Sequence, residues 1–157
     1  VYDPSQQVVR MNHNDLKDGV MGANSLFLNE YEYELLQKHT GLNLADILKC
    51  VQFIVITAGE RGATIYAGDN RYLIPVVPPT GGAEPTGVGD AFRGGFLRGY
   101  RLGLDWQNCG QMGALAATYC LEQRGTQNHS YTPAEFVTRY RTIFDDQGAL
   151  DALLVVS

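Results

Sequence analysis

The stretch "EPTGVGDAF", residues 84–92, brings two glycines, Gly87 and Gly89, and an aspartate, Asp90, to a point where a helix is about to start. Consecutive amides of Gly87, Val88 and Gly89 ahead of a helix N-terminus supply converging N–H donors and the positive end of a helix dipole, so phosphate is the natural guest. A carboxylate beside bound phosphate is repulsive unless it holds a metal ion or takes a proton from the group attacking phosphorus. Asp90 is therefore expected as the general base of a phosphoryl transfer, against the plainer reading that it only caps the helix. The common nucleotide motifs do not fit. There is no G-x-x-x-x-G-K-[ST], and G-x-G-x-x-G fails because Phe92 stands where the third glycine should be.

Three further stretches carry candidate residues. "LNEYEYE" presents Asn29 and Glu32, "ITAGERG" presents Thr57, Gly59 and Gly62, and "EQRGTQNHSYTPAEF" contains Gly125. Each has a plain reading beside a functional one: Asn29 and Glu32 could end a strand and open a helix whose dipole favours acidic residues, and Thr57 and Gly59 could be strand-end turn chemistry.

Together with "EPTGVGDAFRGGF", these stretches resemble the ribokinase/PfkB family of carbohydrate and nucleoside kinases over about residues 1 to 144. The resemblance implies a ribokinase-like three-layer α/β/α sandwich, present only in its C-terminal, nucleotide-binding part. It implies ATP-dependent transfer of the γ-phosphoryl to a hydroxyl of a sugar or nucleoside, with Asp90 as base and the amides of residues 87–89 as the anion hole. Asn29 and Glu32 would manage Mg²⁺ and phosphate, Glu32 through water, while Thr57, Gly59, Gly62 and the Gly125 region would border the nucleotide. A monovalent cation such as K⁺ would be held by the loop that contains Glu84 and Thr86, although Glu84 stands where the family has Asp or Asn, one methylene shorter. "DPSQQ" and "GTQNHSYTPAEF" incline the resemblance toward adenosine-kinase-like members.

The family's N-terminal portion, with its Gly-Gly-Asn signature and the lid that contacts the acceptor and makes dimers, has no counterpart here. The chain opens at Val1 on "VYDPSQQ", which reads as the end of a strand running into a turn, so the expectation is a fragment with little activity of its own. The alternative is a non-catalytic nucleotide-binding or oligomerising fragment that lacks the acceptor site.

These residues need elements to hold them. "MNHNDLKDGVMG" (11 to 22) reads as a short helix capped by Asn12 or Asn14, and "SLFLN" as a buried strand. A helix follows from about 31 to 40, stopped by Gly41, then a second short helix in "LNLADILKC". "VQFIVIT" (51 to 57) is apolar on both faces, as a covered parallel strand requires. "ATIYAG" and "RYLIPVV" form a hairpin about Gly68, Asp69 and Asn70, with Pro75 demoting the second strand to an edge. The helix after the glycine loop contains Gly94, Gly95 and Gly99. Each costs roughly 1 kcal/mol relative to alanine, so close packing or close ligand approach is expected there. Another helix spans about 105 to 123, and Thr132, Pro133 and Glu135 open a last one. The order is α/β, one sheet layer with helices on both sides, with residues 145–157 as an unassigned tail.

The 157 residues are 45% apolar and 18% charged, an ordinary globular composition. A net charge of −5 with no block of like charge argues against a nucleic-acid surface. No apolar run approaches the ~20 residues of a membrane span and no leader is apparent, so no membrane partner and a cytoplasmic location are expected. Cys50, Cys109 and Cys120 lack paired spacing and are read as small core residues. His13, His39 and His129 share no ligand spacing. The small face from Gly110 through Gly113, Ala114, Ala116 and Ala117 suits close helix packing or a flat wall for a purine ring. Tyr31, Tyr33, Tyr66, Tyr72 and Tyr100 are assigned to core or interface.

Overall fold

Strand β2 (Phe53–Thr57) is the best starting point, because every residue but its last is buried, as its β-branched run demands. It pairs in parallel with β1 (Ser25–Asn29), in a register that sets Ser25 beside Phe53 and Asn29 beside Thr57. On its other side it runs antiparallel to β3 (Ala63–Ala67), and β4 (Asn70–Ile74) completes the order β1-β2-β3-β4. Gly68 turns the hairpin at φ 56°, and Pro75, which cannot donate to a ladder, follows the last residue of the edge strand. In this computed structural model the described residues are 1–81, 84–123, 125 and 128–155. They divide into two units, Val1–Leu73 and Ile74 onward.

In the first unit, α1 (His13–Met21), α2 (Glu30–Thr40) and α3 (Leu44–Cys50) bury Leu16, Val20, Leu36 and Ile47 in one cluster with Leu26, Leu28, Ile54 and Ile56 of the sheet. The caps fix the helix starts. Asn12, Asn29 and Asn43 each accept a hydrogen bond from the amide three residues on, and Gly41 closes α2 at φ 71°. Tyr2 forms a parallel bridge to Leu26, consistent with the strand-like reading of the first residues.

The second unit is built on α4 (Val88–Arg101) and α5 (Trp106–Leu121), with α6 (Pro133–Arg141) capped by the Thr132 and Glu135 box. A Cβ on Gly95 would sit 2.6 Å from the Met112 carbonyl oxygen and 2.7 Å from Ala116 Cβ, and one on Gly113 would sit 2.9 Å from the Phe92 carbonyl oxygen. These glycines let the two helix backbones approach, and the small face of α5 is filled by α4. At Gly113 and Ala116 that face is close helix packing. Gly94 differs, because a Cβ there would meet nothing within 4 Å.

The tail is held by Arg141, which donates to Asp146 at 3.0 and 2.9 Å and to Asp151 at 2.6 Å, while Leu150 and Leu153 are buried. One core assignment fails: Cys109 and Cys120 are buried, but Cys50 is exposed, because it falls on the outward side of the last turn of α3. Of the five tyrosines, Tyr33, Tyr66 and Tyr72 are half-buried, whereas Tyr31 and Tyr100 are exposed and lie outside the core. Among the described residues no helix is long and apolar enough to cross a membrane.

Candidate active site

The candidate residues fall into two groups, one in each unit. In the first, parallel pairing sets Asn29 and Thr57 side by side at the C-terminal ends of β1 and β2, the edge where open α/β sheets bind ligands. Asn29 Oδ1 accepts from the Glu32 amide at 2.8 Å, and Glu32 Oε2 accepts from the Asn29 amide at 2.9 Å. The pair is thus a reciprocal capping box, which accounts structurally for both residue types. Glu32 is only 8% exposed, and its Oε1 has no hydrogen-bond partner among the described residues.

After Thr57 the chain makes a tight 3₁₀ turn at Gly59–Arg61, with Gly59 at φ 58°. Gly62, at φ 87° and ψ −139°, closes it by accepting from Ala58 N at 2.8 Å, in a conformation that only glycine adopts readily. Arg61 pairs with Glu30 of the first turn of α2, tying the turn after β2 to the helix after β1. Nothing in the spacing of residues 30 and 61 announces that pair.

The second group surrounds the start of α4. Gly87 occupies the left-handed region at φ 83°, ψ −2°, and its carbonyl accepts the first helical bond, from Ala91 N at 3.0 Å. The Val88 amide turns back to the Pro85 carbonyl at 3.5 Å, whereas those of Gly87 and Gly89 have no partner among the described residues. Two amides at this helix N-terminus are therefore open among the described residues, with the third held weakly inside the turn. Asp90 is 79% exposed, and its Oδ1 accepts from Arg93 Nη2 at 2.6 Å. Its Oδ2 has no partner among the described residues.

The loop rests on the end of α5. Glu84 N donates to the Leu121 carbonyl at 2.9 Å, and the Cys120 thiol lies 3.6 Å from the Thr86 carbonyl oxygen. Burial raises the Cys120 thiol above its ordinary value, and the Asp90 and Glu84 carboxylates raise it further. Gly125 sits at φ 94° with its α-carbon close to the Asn128 side chain, so a Cβ there would fall 2.8 Å from Asn128 Nδ2. Arg124, Thr126 and Gln127 of the same segment lie outside the described residues, as do Gly82 and Ala83 before the loop.

One charged network near the loop has no counterpart among the motif residues. Glu122, just past α5, accepts from Arg139 at 2.7 and 2.6 Å, from Thr80 N at 2.7 Å and from Thr80 Oγ1 at 3.0 Å. Those hydrogen bonds, Arg139's first, hold its carboxyl well below the usual carboxylate range, at about 2. With partners 17 and 42 residues away, no local pattern could have shown it.

Among the described residues no three His, Cys, Asp or Glu side chains cluster as a metal site. The Glu32 carboxylate is the donor type a hard cation takes, and its chemistry fits one held mainly by phosphates and water. The Glu84 carboxylate and the Thr86 carbonyl are oxygen donors, the ligand type that a hard monovalent cation would take. His13 Nδ1 lies 2.5 Å from the His39 carbonyl oxygen, an ordinary hydrogen bond and not a metal pair.

A glycine turn opening a helix, an aspartate in that helix's first turn and a second cluster at the ends of two parallel strands define a ribokinase-type α/β chain. The chain belongs to the pfkB family of carbohydrate kinases, whose family model matches residues 1–133. It is 32% identical over 138 residues to a nucleoside kinase of Methanocaldococcus jannaschii, an alignment that covers 88% of this chain and 46% of that one. A 76-residue stretch, 47% of this chain and 27% of the other, is 41% identical to a cytidine kinase of Thermococcus kodakarensis. The Burkholderia thailandensis nucleoside kinase, solved in complex with inosine, superposes with a TM-score of 0.87 at 35% identity, covering 90% of this chain and 47% of that one. The same kinase has been solved with ADP and inosine together. The fold is thus the ribokinase-like α/β fold, and the chain spans about half the length of the relatives it matches.

Proposed function

We propose that the protein is the nucleotide-binding half of an ATP-dependent kinase that phosphorylates a hydroxyl of a nucleoside, with sugars as the alternative acceptor class. The observation that carries this reading is the turn at Gly87, whose two open amides are followed by an exposed carboxylate, Asp90, in the first turn of α4. Two nucleoside kinases that match most of this chain at above 30% identity favour the nucleoside over the sugar.

In this mechanism the acceptor hydroxyl gives its proton to Asp90 Oδ2 while its oxygen bonds to the γ-phosphorus. The bond from that phosphorus to the β,γ-bridging oxygen breaks, and ADP leaves. Arg93 keeps the other oxygen of Asp90 engaged, so the carboxylate has one orientation. The amides of Gly87 and Gly89 meet the charge that spreads over the transferring phosphoryl, an electrostatic contribution that needs the donors fixed in advance. Mg²⁺, when bound, neutralises charge on the nucleotide phosphates. Asn29 and Glu32 are the residues that would hold it, through water, and Thr57, Gly59 and Gly62 are those that would border the nucleotide.

Thermal-shift screening of the full-length protein against nucleosides and sugars, with Mg-ADP present, tests the acceptor class. A nucleoside at a hundred times its Kd should stabilise by about 2.7 kcal/mol through mass action, with sugars giving no shift. Stabilisation by sugars alone would reverse the assignment.

The half-length coverage of the relatives favours a second reading, nucleotide binding without transfer, for this chain by itself. The chain alone should then bind ADP and turn over no acceptor.

A further inference from the structure

We propose that Glu122 is a positioning residue for the phosphate-binding loop, fixing the place from which Gly87 and Gly89 present their amides. The inference rests on the phosphoryl-transfer reading of that loop.

Three consecutive residues at the end of α5 hold the segment that leads into the loop. Glu122 takes both the amide and the hydroxyl of Thr80, the Leu121 carbonyl takes the Glu84 amide, and the Cys120 thiol meets the Thr86 carbonyl. Residues 80, 84 and 86 are therefore each tied to the end of α5, and Glu122 holds the one farthest from Gly87 in sequence. A carboxylate beside a helix C-terminus is disfavoured by the helix dipole, which prefers cations there. Glu122 is kept at that unfavourable position by a bidentate Arg139 from α6, itself stacked over the Tyr119 ring at 4.6 Å.

Such an arrangement could serve only to join α5 to α6, and for that the Arg139 pair suffices. The two bonds to Thr80 reach a residue outside both helices. Their effect is on the loop, where a misplacement of about 1 Å in groups that act on a transition state costs on the order of a hundredfold in rate.

The test compares Glu122→Ala, Glu122→Gln and Thr80→Val in the full-length protein, by steady-state kinetics and by hydrogen–deuterium exchange of peptides covering residues 84–91. Thr80→Val removes one of the two Thr80 bonds and leaves the Arg139 pair intact, so it reports on the loop even where Glu122→Ala folds poorly. The expected result is faster exchange at 84–91 in all three variants, with residues 132–141 unchanged in Thr80→Val. The kcat should fall about tenfold or more while KM for ATP moves less than about threefold, as expected for an interaction made mainly in the transition state. Glu122→Gln, which keeps one acceptor oxygen, should fall between wild type and Glu122→Ala. The proposal is overturned if the variants lower the melting temperature yet leave both kcat and exchange at 84–91 at wild-type values. If the wild-type protein transfers no phosphoryl group, the proposed function fails, and the exchange measurement alone then decides: faster exchange at 84–91 upholds the role of Glu122, and unchanged exchange removes it.

Discussion

Asp90 carries the chemical argument, and its surroundings make the argument specific. The side chain is open to solvent, one oxygen is engaged by Arg93, and the other has no partner among the described residues. Replacing it with asparagine keeps the size and a hydrogen-bonding oxygen but removes the base, so kcat should fall on the order of 10²- to 10⁴-fold with ADP affinity nearly intact. Glu122 makes a second prediction at this scale. Its carboxyl is held at about 2 in the folded chain against 4.5 as its ordinary value, so the unfolded chain takes up the proton first as the pH falls. Its contribution, about 3 kcal/mol, is complete above pH 4.5 and disappears as the pH approaches 2. Urea titrations at pH 7 and at pH 3 should show the destabilisation of Glu122→Gln relative to wild type falling by roughly half at the lower pH. Asp146, held at about 2 by Arg141, titrates in both proteins and cancels in the difference.

At the scale of elements, local chemistry was legible and distant pairing was not. Asn12, Thr132 and Gly41 are cap residues recognisable from sequence, and each closes or opens the helix it was expected to. Residues 51–57 read as one strand, yet β2 begins at Phe53, because the Val51 amide still donates to Ile47 and belongs to the end of α3. Cys50 was misjudged for a related reason: on a short helix one position decides between the buried and the open side, and composition does not report it. The Glu122, Arg139 and Thr80 network joins three distant segments and has no local signature. The glycines of α4 were legible as a group but not individually. Gly95→Val should destabilise by about 1–3 kcal/mol, because backbone and Ala116 stand in its way. Gly94→Ala meets open space and should stabilise by about 1 kcal/mol. Thermal denaturation of the two variants should shift in opposite directions.

For the molecule as a whole, the candidate site is recorded in two separate groups. The first, at the ends of β1 and β2, holds a capped helix start and a glycine turn, and the second holds the glycine loop and the carboxylate proposed as the base. The family could be read from the sequence because short glycine and carboxylate motifs carry the chemistry in continuous stretches. The acceptor could not, because the chain spans about half of its relatives. The central claim is that Asp90 activates an acceptor hydroxyl beside a loop that holds phosphate. It is tested most directly by following transfer of labelled γ-phosphoryl from ATP to a nucleoside panel, with wild-type and Asp90→Asn full-length protein at matched nucleotide occupancy. The account predicts label on a nucleoside with wild type and a loss of at least a hundredfold with Asp90→Asn. Transfer by Asp90→Asn at the wild-type rate would contradict it.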